Sequence, residues 1–161
     1  MRIERHDRCD GAKYPCERRI NGLDDSIGYL SRIIYWKFVK VIEAKLAPYQ
    51  ISVGQYAILR CLSDDKAVSQ HHIGTKLRIC EPTVAVTLRK LEDMRLVYRE
   101  KNSTNRREML VHLTESGRHM RQRLNGTSRE VNEAATRGMS PLDVFILFSL
   151  LRRASGNLLS E

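Results

Sequence analysis

Long apolar runs are missing from this sequence: no stretch of about 20 apolar residues occurs that could cross a bilayer as a helix. Residues 1–19 are charged throughout and lack the apolar core of a secretory signal, so a cytoplasmic location and no membrane partner are expected. Cysteines are few, at positions 9, 16, 61 and 80, and none is spaced as zinc ligands are. In a reducing compartment they are expected as thiols rather than disulfides. Histidines are equally uninformative as ligands. His71 and His72 are adjacent, so on a helix their rings diverge by roughly 100° instead of meeting as an i, i+4 pair. A phosphate-binding loop, a Ser/His/Asp or Cys/His arrangement and a supported pair of carboxylates are also lacking, so no catalytic residue, metal or cofactor is expected. Acidic side chains are in short supply, 19 against 28 Lys and Arg, for a net charge of +9. That balance favours a polyanionic partner, and by itself fits nucleic acid or an anionic membrane surface equally.

What is present suffices for a real core. With 161 residues, 42% of them apolar, the chain reads as one domain or a domain with helical extensions. Residues 1–22, with Gly11, Pro15 and Gly22, read as a mobile polar arm. From Leu23 a helix is expected, with Asp24 and Asp25 at its favourable end and Ile27, Leu30, Ile34, Phe38, Val41 and Ile42 as an inward stripe. Pro48 ends it, and Ser52 can cap a second helix whose Val53, Ala57 and Cys61 share one side, with Ile58 and Leu62 beside them. Thr114 opens a long helix carrying Met120, Leu124, Val131 and Ala135, weakened at Gly126 and stopped at Gly138. Ser140-Pro141-Leu142-Asp143 is a capping signature for a last helix. Leu142 to Leu151 is apolar nearly all round, which predicts burial against a partner chain with the first helix as neighbour.

Ser69 to Leu113 carries the chemistry. Ser69 can cap a short helix with Ile73 and Leu77 inward, and Glu81-Pro82 opens a second. There Val84, Leu88 and Leu91 repeat at the helical period, while Thr83, Thr87, Arg89 and Lys90 form the other side. Two hydroxyls and two cations on one face suit phosphates and base edges. Past Met94 the pattern becomes that of a hairpin: Val97 to Lys101, a polar tip Asn102 to Asn105, then Arg106 to Leu113 with Met109, Val111 and Leu113 alternating. Helix, turn, helix and a basic-tipped hairpin make a winged helix-turn-helix.

From about Asp24 to Leu159 the chain resembles the multiple-antibiotic-resistance regulator (MarR) family of bacterial repressors. The residues that carry the likeness are Glu81-Pro82-Thr83-Val84, Leu91-Glu92, Leu96-Val97-Tyr98-Arg99, Asn105-Arg106-Arg107, and Val111 through Gly117. Two departures stand out: Asn105 where the family usually has Asp, and Arg95 where a Gly commonly precedes the Leu-Val pair. The resemblance implies a mainly α fold with a small β wing. Residues 48–113 would be the winged helix-turn-helix, and 23–47 with 114–161 the helical dimerisation region.

It also implies a dimeric, sequence-specific regulator of transcription, a repressor of a pseudo-palindromic double-stranded operator released by a small aromatic acid or phenolic effector. Ser69, Gln70, Thr83, Thr87, Arg89, Lys90, Arg106 and Arg107 are the expected DNA contacts, with Arg107 inserted in the minor groove. Tyr29, Arg32, Tyr35 and Trp36, with Gln55 and Tyr56, are candidates for the effector pocket: rings to stack on a ring, and a guanidinium for a carboxylate. Cys80, just ahead of the second helix of the motif, sits where a helix dipole lowers a thiol pKa, and Cys9, Cys16 and Cys80 are the candidate oxidant sensors. The reading from another class is a sequence-indifferent architectural nucleic-acid binder, for which charge would suffice.

Overall fold

The computed structural model describes residues 26–105 and 108–158. The expected arm at 1–22, the start of the first helix with Asp24 and Asp25, and the wing arginines Arg106 and Arg107 lie outside the described residues. In chain order the elements are α1 (Ile27–Leu46), a short 3-10 turn (Ala47–Tyr49) holding Pro48, α2 (Val53–Cys61), β1 (Val68–Ser69), α3 (Gln70–Leu77), α4 (Glu81–Asp93), β2 (Val97–Lys101), β3 (Met109–Leu113), α5 (Glu115–Leu124), α6 (Thr127–Ala135) and α7 (Pro141–Asn157). The result is the mainly α fold with a small β wing that the sequence implied.

Two units divide inside α1, between Lys37 and Phe38. In the first, the described residues form the leading turns of α1, where Ser26 Oγ accepts from the Tyr29 amide. Ile27, Leu30 and Ile34, expected to point inward, are 64%, 45% and 51% exposed, and Val41 further along is exposed too. Amphipathic spacing marks the side of a helix that avoids water without saying which chain covers it.

The second unit contains the core. Leu46, Ile58, Leu59, Ile73, Val84, Leu88, Leu91, Val111 and Leu124 are fully buried, and Ile42 packs at the edge. The Ser52 cap forms as expected and extends to a capping box, in which Gln55 returns its side-chain oxygen to the Ser52 amide. The buried side of α2 differs from expectation: Gln55, Tyr56, Ile58 and Leu59 are inside, whereas Val53, Ala57 and Cys61 are half-buried at its border. Apolar residues at neighbouring positions leave the phase of a short helix ambiguous, and here the larger side chains occupy the interior.

The sheet is antiparallel in the order β1-β3-β2, with Val68 opposite Val111, Val97 opposite Leu113 and Lys101 opposite Met109. Alternation sends Val97, Val111 and Leu113 into the core. Among the described residues the second arm starts at Met109 rather than Arg106. α5 is anchored to this sheet through Thr114, whose amide donates to the Leu96 carbonyl, and through Gly117, where a Cβ would overlap that same carbonyl oxygen. The single long helix expected after Thr114 is instead two. α5 ends at Leu124, α6 begins at Thr127, and Asn125-Gly126 forms the break. The Ser140 capping box on α7 is present, with the Ser140 amide donating to Asp143 Oδ2 at 3.0 Å. The Ser140 hydroxyl, which donates to the same oxygen, and then that amide hold the Asp143 carboxyl below its usual range. No described residue of α7 is buried.

Candidate nucleic-acid interface

α3 starts where β1 ends. Ser69 belongs to both: its backbone pairs with Leu110, and its Oγ accepts from the His72 amide at 3.1 Å. The sheet thereby sets the direction of α3. Arg78, in the left-handed region at φ 53°, ends the helix and lets the chain turn into α4. The starts of the two helices are tied by His71 Nδ1 and Glu81 Oε1, 3.1 Å apart. Gln70, His71 and Glu81 share an open cleft with Asn105, Glu108 and Met109, which places Gln70 beside the base of the wing.

α4 is the second helix of the pair. Val84, Leu88 and Leu91 are 0% exposed, as expected. Thr83, Arg89 and Lys90 face solvent, whereas Thr87 is half-buried at the border of the buried side. Their hydroxyls are already oriented: Thr87 Oγ1 donates to the Thr83 carbonyl at 2.8 Å, and Thr83 Oγ1 lies 3.1 Å from Cys80 Sγ. The Thr83 hydroxyl and amide draw the exposed Cys80 thiol below its ordinary pKa, while burial pushes that of Cys61 up. Cys9 and Cys16 lie outside the described residues.

Two features of this surface escaped the sequence reading. The first is a clamp: Arg99 on β2 grips Glu92 on α4 with Nε to Oε1 at 2.9 Å and Nη2 to Oε2 at 2.5 Å. The bond to Glu92 raises the Arg99 pKa, and the two-pronged geometry fixes α4 against the wing. Both residues belonged to family motifs, but nothing in their spacing announced the pair. The second is Val86, 51% exposed on the polar side of α4.

Asn102 closes the wing. Its amide donates to the Glu108 carbonyl at 3.0 Å, and its side chain donates to Glu108 Oε2 at 2.6 Å. On the hairpin surface the rings of Tyr98 and His112 stack 4.7 Å apart, and His112 Nε2 lies 2.8 Å from Glu100 Oε1. Glu81, Glu92, Glu100 and Glu108 therefore each hold an internal partner, leaving Arg89, Lys90 and Lys101 as exposed cations nearby.

The candidate effector residues fall in both units. In the first, Arg32 lies over the Tyr29 ring at 5.7 Å, with Tyr35 and Trp36 70% and 52% exposed. In the second, Gln55 and Tyr56 are buried and engaged: Gln55 Nε2 reaches Met94 Sδ, and the Tyr56 hydroxyl sits 2.8 Å from Ser128 Oγ. Among the described residues no cluster of three His, Cys, Asp or Glu could hold a metal.

Comparison with known proteins agrees with this geometry. Residues 51–109, from the approach to α2 to the second wing strand, match the MarR family. The chain is 28% identical over 88 residues to the HTH-type transcriptional regulator MgrA of Staphylococcus aureus, covering 55% of this chain and 60% of that protein. It thus spans somewhat under two thirds of that curated relative. A MarR transcriptional regulator from Methanosarcina mazei Go1 superposes with a TM-score of 0.75 at 26% identity, over 83% of this chain and 96% of its own. Bordetella bronchiseptica BpsR, described as having its DNA binding regulated by 6-hydroxynicotinic acid, superposes with a TM-score of 0.74 at 23% identity, over 81% and 93%. With the helix-turn-helix, its wing and these likenesses in agreement, residues 51–109 form a winged helix-turn-helix that matches the MarR family of transcriptional regulators.

Proposed function

We propose that the protein is a homodimeric, sequence-specific DNA-binding repressor. The observation that carries this is the outward side of α4, where Thr83, Arg89 and Lys90 stand exposed next to a hairpin held by the Glu92–Arg99 clamp. Such a helix fits the major groove, its hydroxyls and cations meeting phosphates and base edges. Ser69 and Gln70, at the start of α3, would touch the backbone. At the wing tip Arg107 would enter the flanking minor groove, where a narrow A·T-rich stretch concentrates negative potential, and Arg106 would meet a phosphate. Two copies, joined by their terminal helices, would present two α4 helices to a pseudo-palindromic operator in the cytoplasm. The exposed apolar side chains of α7, among them Leu142 at 64% and Phe145 at 68%, support that pairing.

Release by a small aromatic acid or phenol completes the reading. Tyr29, Tyr35 and Trp36 offer rings, and Arg32 a guanidinium, to such a ligand. Binding of that ligand has only to favour a dimer whose two α4 helices no longer match the half-site spacing of roughly 34–36 Å. The regulation of BpsR by 6-hydroxynicotinic acid supports this effector class.

Titration of duplexes selected from random DNA, against scrambled ones, separates this from sequence-indifferent binding. Neutralising about 6–10 phosphates lowers affinity by roughly three to five decades between 50 and 200 mM salt for either class of binder. A sequence-specific repressor retains a preference of at least about a thousandfold for the selected duplex at physiological salt. Equal affinity for both duplexes would leave only architectural binding. Within the specific reading, Arg107→Ala costs about 1–3 kcal/mol at matched salt; wild-type affinity in that variant removes Arg107 from the groove.

A further inference from the structure

We propose that Val86 is a specificity-determining residue that reads the 5-methyl group of a thymine in the major groove. This rests on the reading of α4 as the helix that enters DNA, and assigns one base to one side chain.

At about 100° per residue, Val86 lies roughly 170° around α4 from the centre of Val84, Leu88 and Leu91, at the middle of the outward side. Those three apolar residues are 0% exposed and Val86 is 51% exposed. A single exposed valine on an ordinary surface has no meaning. This one sits between Thr83, one turn before it, and Lys90, one turn after, on the side whose other groups suit DNA.

The hydroxyls beside it each have a partner on the helix, Thr87 Oγ1 donating to the Thr83 carbonyl and Thr83 Oγ1 lying beside Cys80 Sγ, and they are polar, so the isopropyl group is the outward apolar feature of this turn. Its branching at Cβ leaves one strongly preferred rotamer in a helix, so its position is set before binding. The major-groove edges of guanine, adenine and cytosine present polar atoms, whereas thymine adds a methyl group. Against an isopropyl group the polar edges lose water without gaining a hydrogen bond, and the methyl group loses water favourably. The side chain therefore selects thymine both by attraction and by penalising the other bases.

The test uses duplexes of about 30 base pairs recovered by the wild-type protein from a random library, each thymine then replaced singly by deoxyuridine, which removes only the methyl group. At one thymine in each half-site, wild-type binding is expected to weaken about fourfold, the factor given by ~0.8 kcal/mol per buried carbon group. Val86→Ala, at an exposed position where alanine favours the helix, is expected to bind the thymine and uracil duplexes equally. A penalty that persists in Val86→Ala, a wild type indifferent to every thymine methyl, or a consensus without thymine overturns the assignment while leaving the operator reading intact. Recovery of no consensus at all overturns both.

Discussion

The winged module and the terminal helices solve the problem of apolar surface in opposite ways. From Ile51 to Leu113 the module buries what it should within one chain: Ile58, Leu59, Ile73, Val84, Leu88, Leu91 and Val111 are at 0% exposure. α7 is richer in large apolar side chains and buries none of them fully; Leu142, Phe145, Ile146, Leu150 and Leu151 are all exposed. The leading turns of α1 show the same pattern, with Ile27, Leu30 and Ile34 in water. Local capping is well made in both regions, at Ser52 and Ser69 in one and at Ser140 in the other. A good cap thus sets where a helix begins and says nothing about what covers it. The difference lies in the source of cover: the module folds on itself, and α7 leaves its apolar surface exposed, the surface that the proposed dimer would cover.

The sharpest way to break this comparison is to damage each side separately. Leu88→Ala, inside the module, is expected to cost about 2–5 kcal/mol in denaturant unfolding, since that side chain is 0% exposed in the core. A loss under about 1 kcal/mol would mean the module is loosely packed. Phe145→Asp, on α7, is expected to spare the helical content seen by circular dichroism while raising the dimer dissociation constant at least about 30-fold, the equivalent of ~2 kcal/mol at an interface anchor. Collapse of the fold instead would show that α7 belongs to the core of its own chain.

Within the module, Glu92→Gln is expected to lower stability by about 1–2 kcal/mol. It leaves the Arg99 guanidinium without its charged partner, at a site exposed enough for water to offset part of the loss. An unchanged midpoint would reduce the clamp to a surface contact. The smallest effect is a gain. Arg95 stands at φ 56° directly after α4, where its amide donates to the Glu92 carbonyl and that of Leu96 to Leu91. A left-handed conformation strains a side chain and suits glycine, so Arg95→Gly is expected to stabilise by about 0.5–1 kcal/mol. Destabilisation would indicate that the Arg95 side chain makes contacts of greater value.

That position also shows how far the sequence could be read. The departure from the family at Arg95 was visible, but its backbone consequence was not. Periodicity located Val84, Leu88 and Leu91, and hydroxyl residues ahead of apolar runs located the caps, because both signals are local. The strand β1 escaped, since Val68 and Ser69 form a strand only by pairing with Val111 and Leu110. Pairs distant in sequence escaped for the same reason: Arg121 reaches the Leu62 carbonyl and Asp64, and Lys45 reaches Glu130. Glycine at 126 reads in the sequence as a weak point within one helix; with Asn125 it ends one helix and begins another. At the candidate interface, residue type found the cations and hydroxyls of α4. Val86 needed the structure, because an apolar residue in a helix is ordinarily assigned to the core.

Sedimentation equilibrium of the full chain at micromolar concentration tests the central contrast most directly. The account predicts a single species at about twice the 18.6 kDa chain mass, with the apolar surfaces of the terminal helices covered by a second copy. A well-folded monomer at that concentration would contradict it.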